Sequence, residues 1–84
     1  MDNLNKLKKR ILYRSMHRGT KEMDIILSNF VKKNINSFDK NELYELDLLL
    51  NIDDEVLLKW YLNQETSALI PMNNITKKLK KFRL

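Results

Sequence analysis

"TKEMDIILSNFVKKN", residues 20–34, is the stretch that decides the fold. Its apolar residues Met23, Ile26, Leu27, Phe30 and Val31 fall at i, i+3, i+4, i+7 and i+8. That spacing puts all five on one face of an α-helix and does not fit the two-residue alternation of a half-buried strand. Thr20 places a hydroxyl N-cap in front of that face, so a helix is predicted over about 20–34.

Towards the N-terminus, Leu4, Leu7 and Ile11 form a narrow stripe on a first helix over about 3–17, with Lys6, Lys8, Lys9, Arg10 and Arg14 on its other faces. Towards the C-terminus, Asp39 and Glu42 have the spacing of a capping box and open a third helix on Leu43, Leu46, Leu49 and Leu50. The Asp53–Asp54 pair opens a fourth, which runs to about Asn63. Those carboxylates are expected to face the positive end of the helix dipole, and Val56, Leu57, Trp60 and Tyr61 to supply the buried face, with Trp60 as the central packing residue. Pro71 fits the first turn of a last helix, with Met72, Ile75, Leu79 and Phe82 on one side and Lys77, Lys78, Lys80 and Lys81 elsewhere. Met16, Met23 and Met72 are read as core filling. The expected architecture is all-α: a compact bundle of about five short helices in a single domain over 1–84, ending in a basic helix and tail over about 71–84.

Composition excludes several chemistries. With no cysteine and one histidine, His17, there is no disulfide framework, thiolate metal site, thiol nucleophile or multi-histidine cluster. No nucleophile–base pairing or phosphate loop appears, so no catalytic residue, bound cofactor or metal is expected, and the protein is not read as an enzyme. No apolar run approaches the roughly 18 residues of a membrane span, and the opening MDNLNKLKKR carries no signal-peptide core. The expectation is a soluble protein of the bacterial cytoplasm, monomeric when free, with no membrane contact.

The net charge of +5 conceals a division. Residues 1–34 hold nine Lys/Arg against three Asp/Glu, residues 35–70 two against eight, and residues 71–84 five against none. The plain reading is helix faces that attract one another in the folded chain; the sharper one is a basic surface for an acidic partner.

The single glycine, Gly19, lies where the first helix must end and the second begin. A left-handed C′ residue that stops the helix would account for it. So would a corner kept open for another surface, since Arg18 and Glu22 flank it as an exposed pair worth only ~0–1 kcal/mol in stability. Both readings stand on the sequence.

The segment R10-I-L-Y-R-S-M-H-R-G-T-K-E-M-D24 resembles the R-x-x-x-R-G-x-x-E-x-D segment of the SdhE family, also called succinate dehydrogenase assembly factor 2 or the flavinylation factor. L48-L-L-N-I-D-D-E-V-L-L-K-W-Y-L62 is similar to that family's second segment, a leucine run, an acidic break and an apolar helix with tryptophan. The resemblance implies a five-helix assembly factor that binds the flavoprotein subunit of succinate dehydrogenase, and of fumarate reductase in many cases, and promotes covalent attachment of FAD to a histidine of that subunit. FAD then belongs to the partner. Carried over residue by residue, Arg18, Gly19 and Glu22 form the RGxxE contact motif, Asp24 lies beside it, and Tyr13, Arg14 and His17 extend the same face. His17 stands where the family usually has a second arginine, and Thr20 where it usually has methionine.

The alternative is a small basic nucleic-acid-binding or antitoxin-like regulatory protein. Its first helix and K77-K-L-K-K-F-R-L84 tail would bind phosphate, although no helix-turn-helix signature appears and the acidic middle would repel a nucleic-acid backbone.

Overall fold

A computed structural model describes residues 3–62 and 70–82. Those residues form five helices and no strand: α1 (Asn3–Met16), α2 (Lys21–Asn34), α3 (Lys40–Leu49), α4 (Asp54–Tyr61) and α5 (Asn74–Lys81). The fold is all-α, as the periodicity requires. The expected end of the fourth helix at Asn63 and the last two residues of the basic tail lie outside the described residues.

α2 is the axis of the packing. Met23, Ile26, Leu27, Phe30 and Val31 are all buried, and Thr20 caps the helix by accepting the Met23 amide. α1 packs across α2 and against α3, α4 lies against α2, and α5 closes over α3. The core joins Leu7 and Ile11 of α1, the α2 stripe, Leu43, Leu46 and Leu49 of α3, Leu57 and Tyr61 of α4, and Ile75 and Leu79 of α5. Each such aliphatic or aromatic side chain, taken fully out of water, contributes about 1.5–3 kcal/mol, which is what holds helices this short in place.

α3 begins as its sequence predicts. The Asp39 carboxylate accepts the Glu42 amide at 2.8 Å, and Glu42 Oε1 accepts the Asp39 amide at 3.0 Å. Glu42 is itself buried, because its second oxygen accepts Lys78 of α5 at 2.6 Å. The Lys78 ammonium and the Asp39 amide outweigh burial and hold the Glu42 carboxyl below its ordinary value of 4.5.

Four expectations are corrected. α5 starts three residues beyond Pro71, because Asn73 and Thr76 form a reciprocal capping box that satisfies both amides there. Met72 therefore precedes the helix and is 88% exposed, and Met16 is also exposed, so only Met23 of the three methionines fills the core. Trp60 is half-buried against the core margin with the Lys80 ammonium 4.3 Å from its ring centroid, while Phe30 is the bulkiest of the fully buried side chains among the described residues and packs its ring against Phe38 and Phe82. Leu4 is largely exposed at the start of α1, and the stripe continues instead to Ser15, fully buried, whose hydroxyl donates to the Leu12 carbonyl at 2.8 Å.

Candidate functional site

The ion pairs among the described residues run between the basic flanks and the acidic middle. On the α1 side they form a series at four-residue spacing, the interval that keeps side chains on one helix face. Arg10 donates to Asp47 Oδ2 at 2.9 Å. Arg14 donates to Asp47 Oδ1 at 2.9 Å and also reaches the Asp47 carbonyl and Asn51 Oδ1. Arg18, just past the helix, donates from Nε to Asp54 Oδ1 at 2.8 Å, and its two terminal nitrogens donate to the carbonyls of Leu50 and Ile52 at 2.8 and 3.1 Å. Mutual attraction of the charged segments, the plainer of the two readings, describes this ladder. It commits Arg10, Arg14, Arg18 and Lys78 to carboxylates of the chain itself, which leaves less of the positive charge open to phosphate.

The expected exposed Arg18–Glu22 pair does not form. The Arg18 side chain is only 9% exposed and its partner Asp54 only 7%. Two carbonyls of the α3–α4 turn and the Asp54 carboxylate satisfy the guanidinium fork, a set of acceptors that one exposed glutamate does not match. Asp54 likewise does not serve the dipole of its own helix alone: Oδ1 holds Arg18 and Oδ2 accepts the Thr20 amide at 3.0 Å.

Gly19 sits between these two anchored residues with its backbone outside the left-handed region, so it is not a C′ helix stop. α1 ends instead where Arg18 is drawn to the α3–α4 turn. A Cβ added at Gly19 would lie 3.4 Å from Asp54 Oδ2, an ordinary contact. Glycine thus leaves the corner uncovered directly over the Asp54 anchor.

The other expected site residues fall in two groups. Tyr13, 62% exposed, stacks on His17 with ring centroids 4.0 Å apart. His17 Nδ1 lies 2.7 Å from the Tyr13 carbonyl, and since a carbonyl only accepts, Nδ1 carries the proton of that bond. Glu22 is exposed in the first turn of α2 and makes no ion pair among the described residues; Asp24 is half-buried in the same turn, where both carboxylates suit the positive helix end. Tyr13, His17, Gly19 and Glu22 are therefore the exposed members, and Arg14 and Arg18 face inward to the turn before α4. Asp54, Asp47 and Asn51 complete the site but were not among its expected residues. For Asn51 and Asp54 the available signal is the acidic break of L48–L62; Asp47 lies just before that segment.

A family model described as "Flavinator of succinate dehydrogenase" (Sdh5) matches residues 9–83. The chain belongs to this family. Flavinator relatives include the mitochondrial succinate dehydrogenase assembly factor 2 of Arabidopsis thaliana, 41% identical over 64 residues, which cover 76% of this chain and 34% of that protein. The protein of the same name in Candida glabrata is 33% identical over 85 residues, 96% of this chain and 56% of the relative. A bacterial flavinator relative, the FAD assembly factor SdhE of Acetobacter pasteurianus, is 36% identical over 59 residues, 70% of this chain and 54% of the relative. The chain thus spans between a third and somewhat more than half of these relatives' lengths. No solved structure matches it. Among the described residues, no helix is long and apolar enough to cross a membrane, and no group of three or more metal-ligating side chains occurs.

Proposed function

We propose that this chain binds the flavoprotein subunit of succinate dehydrogenase and promotes covalent attachment of FAD to a histidine of that subunit, with the flavoprotein of fumarate reductase as a second partner of the same kind. The observation that carries this reading is the exposed corner at Gly19 with the exposed Glu22 in the turn that follows, on a chain of the flavinator family.

In this reading the reacting groups, flavin and histidine, both belong to the partner, and the chain acts by binding. A binder speeds attachment only if it prefers the arrangement in which flavin and histidine can react; its differential affinity raises that population. The glycine corner lets the flavoprotein backbone approach, Glu22 offers a carboxylate to partner donors, and the exposed, stacked Tyr13–His17 pair at the end of α1 adds apolar and polar area.

The test is in-gel flavin fluorescence of denatured flavoprotein from cells that lack their own factor, supplied with the native chain, the Glu22→Ala variant or neither. Fluorescence that survives denaturation with the native chain and falls with Glu22→Ala is the expected result. Equal fluorescence in all three refutes the reading.

A further inference from the structure

Residues 18 and 20, on either side of Gly19, are both hydrogen-bonded to a single side chain from another helix. Asp54 of α4 takes the Arg18 Nε on one oxygen and the Thr20 amide on the other, which lies 3.4 Å from where a Cβ at Gly19 would sit. The two helices that meet at the corner are each fixed by this carboxylate: Arg18 ends the α1 side, and Thr20 is the N-cap of α2, whose first turn carries Glu22. Nε and both terminal nitrogens of Arg18 already donate inward, so the guanidinium has little left for an outside acceptor.

We propose that Asp54 is the positioning residue of the docking corner and that Arg18 acts through it, holding Gly19 and Glu22 in place without itself touching the partner. This rests on the reading that the corner docks a flavoprotein. A corner fixed before contact loses less freedom on binding, so the pair acts on affinity through preorganisation. Glu22 and the open Gly19 backbone are the parts of the motif that meet the partner; the arginine shapes the surface on which they stand.

The experiment measures affinity for purified succinate dehydrogenase flavoprotein with Arg18→Ala, Asp54→Asn, the double variant, and Glu22→Ala alone and on each of these backgrounds. Arg18→Ala and Asp54→Asn should each weaken binding by about tenfold or more, and the double variant no more than the weaker single, because both remove the same constraint. The Glu22→Ala loss should multiply with either. Losses for Arg18→Ala and Asp54→Asn that multiply together, or native affinity in Asp54→Asn, would overturn the proposal.

Amide exchange on the native chain tests the clamp without a variant. The Thr20 amide should exchange far more slowly than that of Lys21, and comparable rates would overturn the arrangement. If Thr20 is protected and the native chain fails to bind the flavoprotein, the docking reading has failed and Asp54 holds a corner with another use.

Discussion

The two basic segments meet the acidic middle by different means. α1 presents arginines, and Arg14 and Arg18 each engage several acceptors at once across the α3–α4 turn. α5 presents lysines: Lys78 donates to Glu42 with its charge 5.4 Å from the Phe38 ring centroid, and Lys80 donates to the Trp60 carbonyl with its charge over the Trp60 ring. A planar fork fixes direction as well as distance, whereas an ammonium on a flexible stem neutralises charge and leaves orientation free. The end of the molecule with the uncovered glycine corner is the geometrically constrained one, and the lysine end is held chiefly by its apolar face.

The largest break in that comparison is Asp54→Ala. It strands the Arg18 guanidinium and the Thr20 amide, and removing one partner of a buried pair costs about 3–5 kcal/mol. Urea denaturation should show a loss of that size; a loss under 1 kcal/mol would mean that the pair is not a constraint. Arg18→Lys keeps the charge and loses the fork, and should cost about 2 kcal/mol by the same measurement. If lysine serves as well as arginine, the contrast between the two ends does not hold.

At the other end, Glu42 gives a pH signature. Its carboxyl is held below its ordinary value, so its contribution is fully present above about pH 4.5 and is lost as pH falls through the lower folded value. The stability difference between the native chain and Glu42→Gln should therefore shrink as pH falls from about 5 towards 3, and a difference constant with pH would contradict the Lys78–Glu42 contact. The smallest effects belong to Arg10→Ala and Gly19→Ala. Arg10 makes an exposed pair worth about 0–1 kcal/mol. At Gly19 a methyl group fits against Asp54, and denaturation midpoints should move by less than about 1 kcal/mol equivalent.

Much of the fold was legible because it is written in local spacing. The α2 stripe from Met23 to Val31 and the Asp39–Glu42 box each lie within a few turns of chain, and a helix period or cap can be read without knowing what packs against it. The start of α5 is also set locally, but by a different signal from Pro71: Asn73 and Thr76 bond reciprocally and outcompete the first-turn preference of proline. The site was less legible for a different reason. Arg18 and Asp54 are 36 residues apart, and eight carboxylates lie in the acidic middle. Each residue also has an adequate local role, one near a helix C-terminus and one at a helix N-terminus, so nothing in the local pattern demands that they meet. Trp60 is a similar case: size alone marks a core candidate, but only the packing decides that Phe30 is buried while Trp60 stays at the margin.

The four-residue spacing of Arg10, Arg14 and Arg18 has a consequence for how this segment tolerates sequence change. Each residue advances a helix by about 100°, so inserting or deleting one position between Arg10 and Met16 would swing at least one arginine away from Asp47, Asn51 and Asp54 while its neighbour stayed. Substitutions on the outer face at Lys9 or Tyr13 leave that registration intact. The interval from Arg10 to Arg18 therefore behaves as a ruler, open to changes of residue type along its exposed edge and closed to changes of length.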